Sequence, residues 1–274
     1  MTVYTDDGEP AENISIPAHP TAQVTATAWH PTKKILAIGW ENGELFLFSD
    51  HNNSCVELQT IHTASIVLLE WSQAGSRLIS GDGGGSVVGW SLDRSNQLNT
   101  VFHHELKDPL SQMVFRNVFS QEAAPGLDMS SLARAAVAGD ERALDLFSSW
   151  RPKTGRRGGL GAGSSRENLN FYIGSMSGVI YYLNENGSCM EVLQADGAIR
   201  TLLYHDLGDV LIVVTESLVV GQFRVETDGS LVEVSKVKMS TRSADVSISW
   251  AGRGVLAITT GKEIVKGSYY TDST

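Results

Sequence analysis

Two stretches of this chain align without a gap. "WHPTKKILAIGWENGELFLF" runs from Trp29 to Phe48, and "WSQAGSRLISGDGGGSVVGW" runs from Trp71 to Trp90. Trp29 and Trp71, Gly39 and Gly81, Gly43 and Gly85, and Phe48 and Trp90 each stand 42 positions apart. A unit repeated at that spacing is a small piece of tertiary structure that buries its apolar face against the next copy. Built from several short strands, such a unit predicts the blade of a β-propeller.

The residue chemistry fits a blade. "VTATAW" and "SIVLLEW" read as first strands, "ILAIG" and "RLISG" as second strands, and "ELFLF" and "SVVGW" as third strands. The intervening "ENG" and "DGGG" supply the Asn and Gly that tight hairpins demand. "SCVELQTI", Ser54 to Ile61, fits a fourth, outer strand with the weaker alternation of an edge.

Later units are looser. "NFYIGSMSGVIYYL" repeats the second strand, turn and third strand, with Gly174 and Gly178 in the places of Gly39 and Gly43. In "IRTLLYHDLGDVLIVVTESLVVGQF", Tyr204 stands where Trp29 stands and Val214 where Gly39 stands. "DVSISWAGRGVLAITTGKEI" opens a further unit at Trp250, 46 positions after Tyr204. The expected fold is an all-β, WD40-type propeller of about four blades and a partial fifth.

One blade is interrupted. "LSQMVFRNVF" resembles a first strand with Phe115 in the Trp71 position, yet Phe115 precedes Gly174 by 59 positions where Trp71 precedes Gly81 by 10. The insertion, residues 121–169, falls between a first and a second strand. Its "LDMSSLARAAVAGDERALDLFSSW" reads as a helical hairpin, with Asp128, Ser130 and Asp140 as N-caps and Gly139 ending the first helix. "RPKTGRRGGLGAGSSREN" reads as a flexible linker, and it lacks the Gly-Lys-Ser/Thr ending of a phosphate-binding loop.

Composition excludes several function classes. The formal charge of −10 argues against nucleic acid, whose phosphates need clustered Lys and Arg. No apolar run approaches the roughly 20 residues of a membrane-spanning helix, so direct membrane insertion is not expected. Cys55 and Cys189 match no metal spacing, and the adjacent His103 and His104 would point to opposite faces of a strand. No cofactor motif and no metal centre are expected.

The second unit carries a WD-repeat signature: His62, Trp71, Ser80, Asp82 and Trp90. In that family such a His, Ser, Asp and Trp join strands and turns through a hydrogen-bonded chain, so the resemblance implies a structural blade network. The same residue types permit a catalytic Ser–His–Asp reading, but the blade accounts for each position without it.

Taken in order, "WHPTKKILAIGWENGE", "RLISGDGGGSVVGW", "AAVAGDERALDLF" and "VVTESL" resemble the N-terminal propeller of the intraflagellar transport protein 140 family over roughly residues 20 to 262. Members of that family are subunits of the retrograde ciliary transport complex A. The resemblance implies a non-enzymatic scaffold for retrograde transport and cilium assembly. It places the chain at the cilium, basal body and cytoplasm, with the other complex A subunits as partners. Arg134, Asp140, Glu141 and Arg142, the charges of the helical hairpin, are the candidate partner contacts. The alternatives are a WD scaffold of another trafficking or coat complex and, further off, a propeller enzyme.

Three regions are expected: a poorly determined segment 1–20, a partial propeller 21–264 and a divergent tail 265–274. Compared with the family, the start is expected to lack an early blade, and "KGSYYTDST" to break off where a third strand is due. A fragment is therefore expected.

Overall fold

The computed structural model describes residues 3, 7–10, 16, 19–116, 169–206, 208–240, 246–251, 255–260 and 264–268. These carry nineteen strands and a single 3-10 turn, Asp50–Asn52. The first sheet contains β1 (Val24–Trp29), β2 (Ile35–Trp40), β3 (Leu45–Ser49) and β4 (Ser54–Leu58), hydrogen-bonded in that order. β5 (Ile66–Trp71), β6 (Arg77–Asp82), β7 (Ser86–Leu92) and β8 (Leu98–Glu105) repeat the pattern. The third sheet joins β9 (Leu110–Arg116) to β10 (Asn170–Ser175), β11 (Val179–Asn184) and β12 (Cys189–Gln194). The fourth is β13 (Ile199–His205), β14 (Val210–Thr215), β15 (Val219–Val225) and β16 (Leu231–Lys238). The fifth is β17 (Val246–Trp250), β18 (Val255–Thr260) and β19 (Ile264–Ser268). Every pairing is antiparallel.

The sheets stack face against face, so the core is a series of layers. Ile35, Ala37 and Leu47 of the first sheet meet Ile66, Leu69 and Trp71 of the second. Leu68, Ile79 and Val87 meet Leu110, Phe171 and Ile173 of the third. The third and fourth sheets share a layer with Tyr172 and Leu211, and the fourth and fifth share one with Ile212 and Ile248. A strand with neighbours on both faces needs apolar side chains on both. That is why "ILAIGW" and "VLIVVT", wholly buried as β2 and β14, run nearly continuously apolar. No residue of the fourth strands β4, β8, β12 and β16 is fully buried, and β16 is exposed along almost its whole length.

Close packing explains the repeated glycine of the second strands. A Cβ on Gly39 would lie 2.5 Å from the Ile66 side chain, one on Gly81 2.7 Å from Leu110, and one on Gly174 2.6 Å from Ile199. Ile66, Leu110 and Ile199 each begin the first strand of the next sheet. At the fourth sheet Val214 takes the glycine's place and packs with Val246, the first residue of β17. Gly174→Ala should therefore destabilise by about 1–2 kcal/mol through overpacking. Gly197→Ala, whose Cβ would meet nothing within 4 Å, should stay within about 0.5 kcal/mol of wild type. Parallel denaturant titrations of the two variants measure the difference.

The hairpin turns repeat as well. Gly43, Gly85 and Gly178 have φ of 88°, 97° and 91°, and each returns an N–H to the carbonyl three residues earlier. Leu218 occupies the same place in the fourth sheet at φ 60°, a left-handed conformation that costs a branched side chain about 1–2 kcal/mol.

β9 ends at Arg116, and Asn170 at the start of its neighbour β10 pairs directly with it. Residues 117–169 thus connect two strands that lie side by side. The helical hairpin expected there lies outside the described residues.

Two strand boundaries differ from those expected. The outer strand of the first sheet stops at Leu58 rather than Ile61. The fifth sheet does have a third strand, with Val255 paired to Ser268 and Thr259 to Ile264, so ladder pairing extends into the expected divergent tail, residues 265–274. "IVKGS" is too short and too polar to show an apolar period; β18 supplies the main-chain partners that make it a strand.

Candidate functional site

His62 lies just before β5, Ser80 and Asp82 end β6, and Trp90 lies in β7. Their side chains meet inside the second sheet. The Trp90 indole Nε1 donates to Ser80 Oγ at 2.8 Å, and Ser80 Oγ lies 2.7 Å from His62 Nε2. His62 Nδ1 lies 3.1 Å from Asp82 Oδ2. Only one proton arrangement satisfies every member. Trp90 can only donate, and an ionised Asp82 can only accept. Ser80 must then donate to Nε2, and a neutral His62 must donate from Nδ1 to Asp82. Asp82 Oδ1 also accepts the main-chain N–H groups of Gly84 (3.0 Å) and Ser86 (2.9 Å), which ties the chain to the β6–β7 turn.

Ser, His and Asp in this order have the connectivity of a nucleophilic triad. The His62 side chain is 0% exposed and that of Asp82 1%, while Ser80 is fully buried with its oxygen already taken by Trp90. A nucleophile needs an open side from which an electrophile can approach. This geometry does not give Ser80 one. What a fully satisfied buried chain does is fix strands and turn in one arrangement.

Burial holds the His62 imidazole below its ordinary 6.5, even though Asp82 pulls the other way. In the unfolded chain His62 takes up a proton near 6.5; in the fold it does so only at lower pH. Between those two values the unfolded state holds the extra proton, so stability is full above about 6.5 and falls as the pH drops below it. His30 is lowered by burial too and contributes with the same sign. His62→Gln should therefore flatten part of the acid slope rather than all of it. Unfolding free energies of wild type and variant between about pH 7.5 and 5 measure this. Parallel curves would contradict the neutral, buried imidazole.

Trp71, the fifth member of the sequence motif, does not join this chain. Its indole N–H crosses to the first sheet and donates to the Ala28 carbonyl at 3.1 Å. The ring packs edge-on against His30 at 4.9 Å, and His30 Nε2 donates to the Gly75 carbonyl at 3.0 Å. Trp250 repeats the contact between the fourth and fifth sheets, with its N–H on the Tyr204 carbonyl and its ring 4.9 Å from His205. Trp29 aligns with both yet is 48% exposed.

A third cluster stands where the insertion leaves β9. Arg116 is buried, and its guanidinium forks onto Asp209 of the fourth sheet, Nε to Oδ1 at 3.2 Å and Nη2 to Oδ2 at 2.8 Å. The Tyr204 hydroxyl donates to the same carboxylate. Burial works against the Arg116 charge, but Asp209 and Tyr204 more than offset it and hold the guanidinium above its ordinary value. Nearby, the Tyr172 hydroxyl donates to the Gly229 carbonyl at 2.9 Å. The loops from first to second strands and those from third to fourth strands therefore share one end of the stack. That end is tied across sheets by His30–Gly75, Lys33–Asn96 and Arg116–Asp209.

Sequence reasoning missed this cluster. Arg116 and Asp209 are 93 positions apart, and no local pattern links them. One local signal existed: "HDLGD" puts a second Asp at a tight turn, where Asp209 adopts φ 48°.

Other candidates are placed simply. His103 bonds to Ser86 across the β7–β8 pair at 3.0 Å, while the neighbouring His104 packs beside Phe102. Cys55 and Cys189 are both free, and burial pushes both thiols up, away from the reactive thiolate. Among the described residues no cluster of three or more His, Cys, Asp and Glu side chains is placed to hold a metal ion, and no helix is long and apolar enough to cross a membrane. Arg134, Asp140, Glu141 and Arg142 lie outside the described residues.

The geometry thus consists of strand-locking networks inside a stack of antiparallel sheets and a cross-tied end from which a long insertion departs. A family model described as the IFT140 first beta-propeller matches residues 1–267. The match covers nearly the whole chain, including the insertion and every strand residue but the last of β19, and the chain belongs to the IFT140 first β-propeller family.

Proposed function

We propose that this chain is a non-enzymatic interaction module of the intraflagellar transport complex A, acting in retrograde ciliary transport and cilium assembly. The five sheets are read as four blades and a partial fifth of the propeller, and the His62–Asp82 chain as the structural lock of the second blade. The other complex A subunits are the partners, and the cilium, basal body and cytoplasm are the sites of action.

The observation that carries this reading is the departure of the insertion from the one cross-tied end. Insertions on loops between rigid elements change a surface without disturbing the core. Arg116 anchors the base of this one to a neighbouring sheet through a paired, buried charge. In this reading the helical hairpin presents Arg134, Asp140, Glu141 and Arg142 to a complex A subunit.

Replacing residues 121–169 with a six-residue turn such as "SQAGSR" tests the reading. The expected result is an unchanged fold, measured by circular dichroism and unfolding midpoint, with loss of complex A association. An unchanged fold with full association and normal return traffic would contradict docking through the insertion.

A further inference from the structure

The wedges between neighbouring sheets at their outer strands are filled differently. Between the second and third sheets, Phe102 of β8 turns inward and stacks on Phe171 at 6.2 Å. Between the third and fourth, Lys236 of β16 pairs with Asp196 beyond β12, and the space beside them is only about 40 Å³. Between the first and second sheets the space is about 660 Å³, within the range of ligand-binding sites. Neither an aromatic plug nor an ion pair crosses it among the described contacts.

The walls of this cleft point to its occupant. Leu47 and Trp90 lie at its base, flanked by the half-buried Leu58 and Leu98. One wall takes in residues 56–59 consecutively, and the other takes in 95–100. If only one face of each strand bordered the cleft, alternate residues would line it. Residues 56–58 run consecutively along β4, so the main-chain edge of β4 borders the cleft, and β4 is a free edge of its sheet; on the other wall residues 95–97 belong to the turn before β8. Residues 54–59 of the β4 wall extend roughly 17 Å at about 3.3 Å per residue, room for some five residues of extended chain. Among the described lining residues His51 and Glu57 are the only ionisable side chains, which suits neither a polyanion nor a strongly charged ligand.

We propose that this cleft binds an extended peptide segment of a partner protein. The peptide adds a strand to the free edge of β4 and turns one apolar side chain into the mouth of the cleft, against Leu58 of β4 and Leu98 of the facing β8. Main-chain pairing supplies affinity, and the apolar seat supplies selectivity. The proposal rests on reading the chain as a protein-interaction module, but not on which complex it serves.

The probe is a random peptide library displayed on phage and selected on the 274-residue chain, followed by titration of one selected synthetic peptide. Selected peptides should share an apolar anchor. Thr100→Trp and, separately, Gln59→Trp, two exposed positions lining the cleft, should each weaken binding about tenfold or more with an unchanged unfolding midpoint. Two positions are used so that a folding defect in one leaves the other decisive. Proline placed along the peptide should abolish binding at alternating positions, as removal of ladder donors requires. Enrichment of no peptide, or equal affinity of a selected peptide for wild type and both filled variants, would overturn the proposal. Because no complex A subunit takes part, such a failure leaves the complex assignment standing.

Discussion

Trp90→Ala is expected to lower the unfolding free energy by about 3–5 kcal/mol, the range for truncating a large buried aromatic side chain. Trp90 is 2% exposed, packs with Leu78, Val88 and Leu47, and supplies the only N–H donor on Ser80 Oγ in the four-residue chain. Two losses therefore add. A cavity opens in the layer between the first two sheets, and the far end of the His62–Asp82 chain loses its donor. Trp90→Phe separates them: most of the volume stays and only the hydrogen bond goes, at a cost of about 1 kcal/mol. Ser80→Ala should cost more than Trp90→Phe, since it strands both the indole N–H and the His62 Nε2. Denaturant titration of the three variants gives the ranking Trp90→Ala, then Ser80→Ala, then Trp90→Phe. Equal, small effects would contradict a locked second sheet.

Asp209→Asn should cost about 2–3 kcal/mol, although it removes no packing volume. The substitution leaves the buried Arg116 guanidinium without its counter-charge. A fully buried pair broken this way loses roughly 3–5 kcal/mol. Asp209 is 45% exposed, so water reaches its side of the pair and lessens the loss. Asn keeps the left-handed backbone at this position at little cost, so the effect isolates the charge. The double variant Arg116→Met with Asp209→Asn removes the stranded charge and should recover most of the stability. A single variant as stable as wild type, or a double variant no better than the single, would show that the pair does not hold the third sheet to the fourth.

The two clusters also mark what was legible in the sequence. His62, Ser80, Asp82 and Trp90 lie within one repeat unit, so the period that reveals the unit brings them within reach of one another. The repeated glycines at 39, 81 and 174 were legible as an alignment, and packing supplies their cause: each faces the first residue of the next sheet. Trp71 was legible as a repeat position but not as a link between sheets, because its partner, the Ala28 carbonyl, has no side-chain signature. Arg116 and Asp209 belong to different units separated by the insertion, and only stacking of the third sheet on the fourth joins them. The open cleft was not legible either. It exists because β4 carries no inward aromatic plug like the one that Phe102 of β8 provides between the next two sheets, and no periodicity records a side chain that is missing.

The alternation rule failed at the outer strands for a related reason. β16 exposes Val232, Val234 and Val237 to solvent, so its apolar residues do not report a buried face. β19 forms through main-chain pairing with β18, in a stretch where apolar periodicity is absent. In both places the ladder decides the structure, and side-chain pattern is silent.

Assignment to complex A is the central claim, and proximity labelling from this chain in ciliated cells tests it most directly. With the labelling enzyme fused to the chain, the other complex A subunits should head the enriched proteins, and enrichment should fall when residues 121–169 are replaced by the short turn. Enrichment of vesicle-coat subunits instead, with complex A at background, would contradict the assignment.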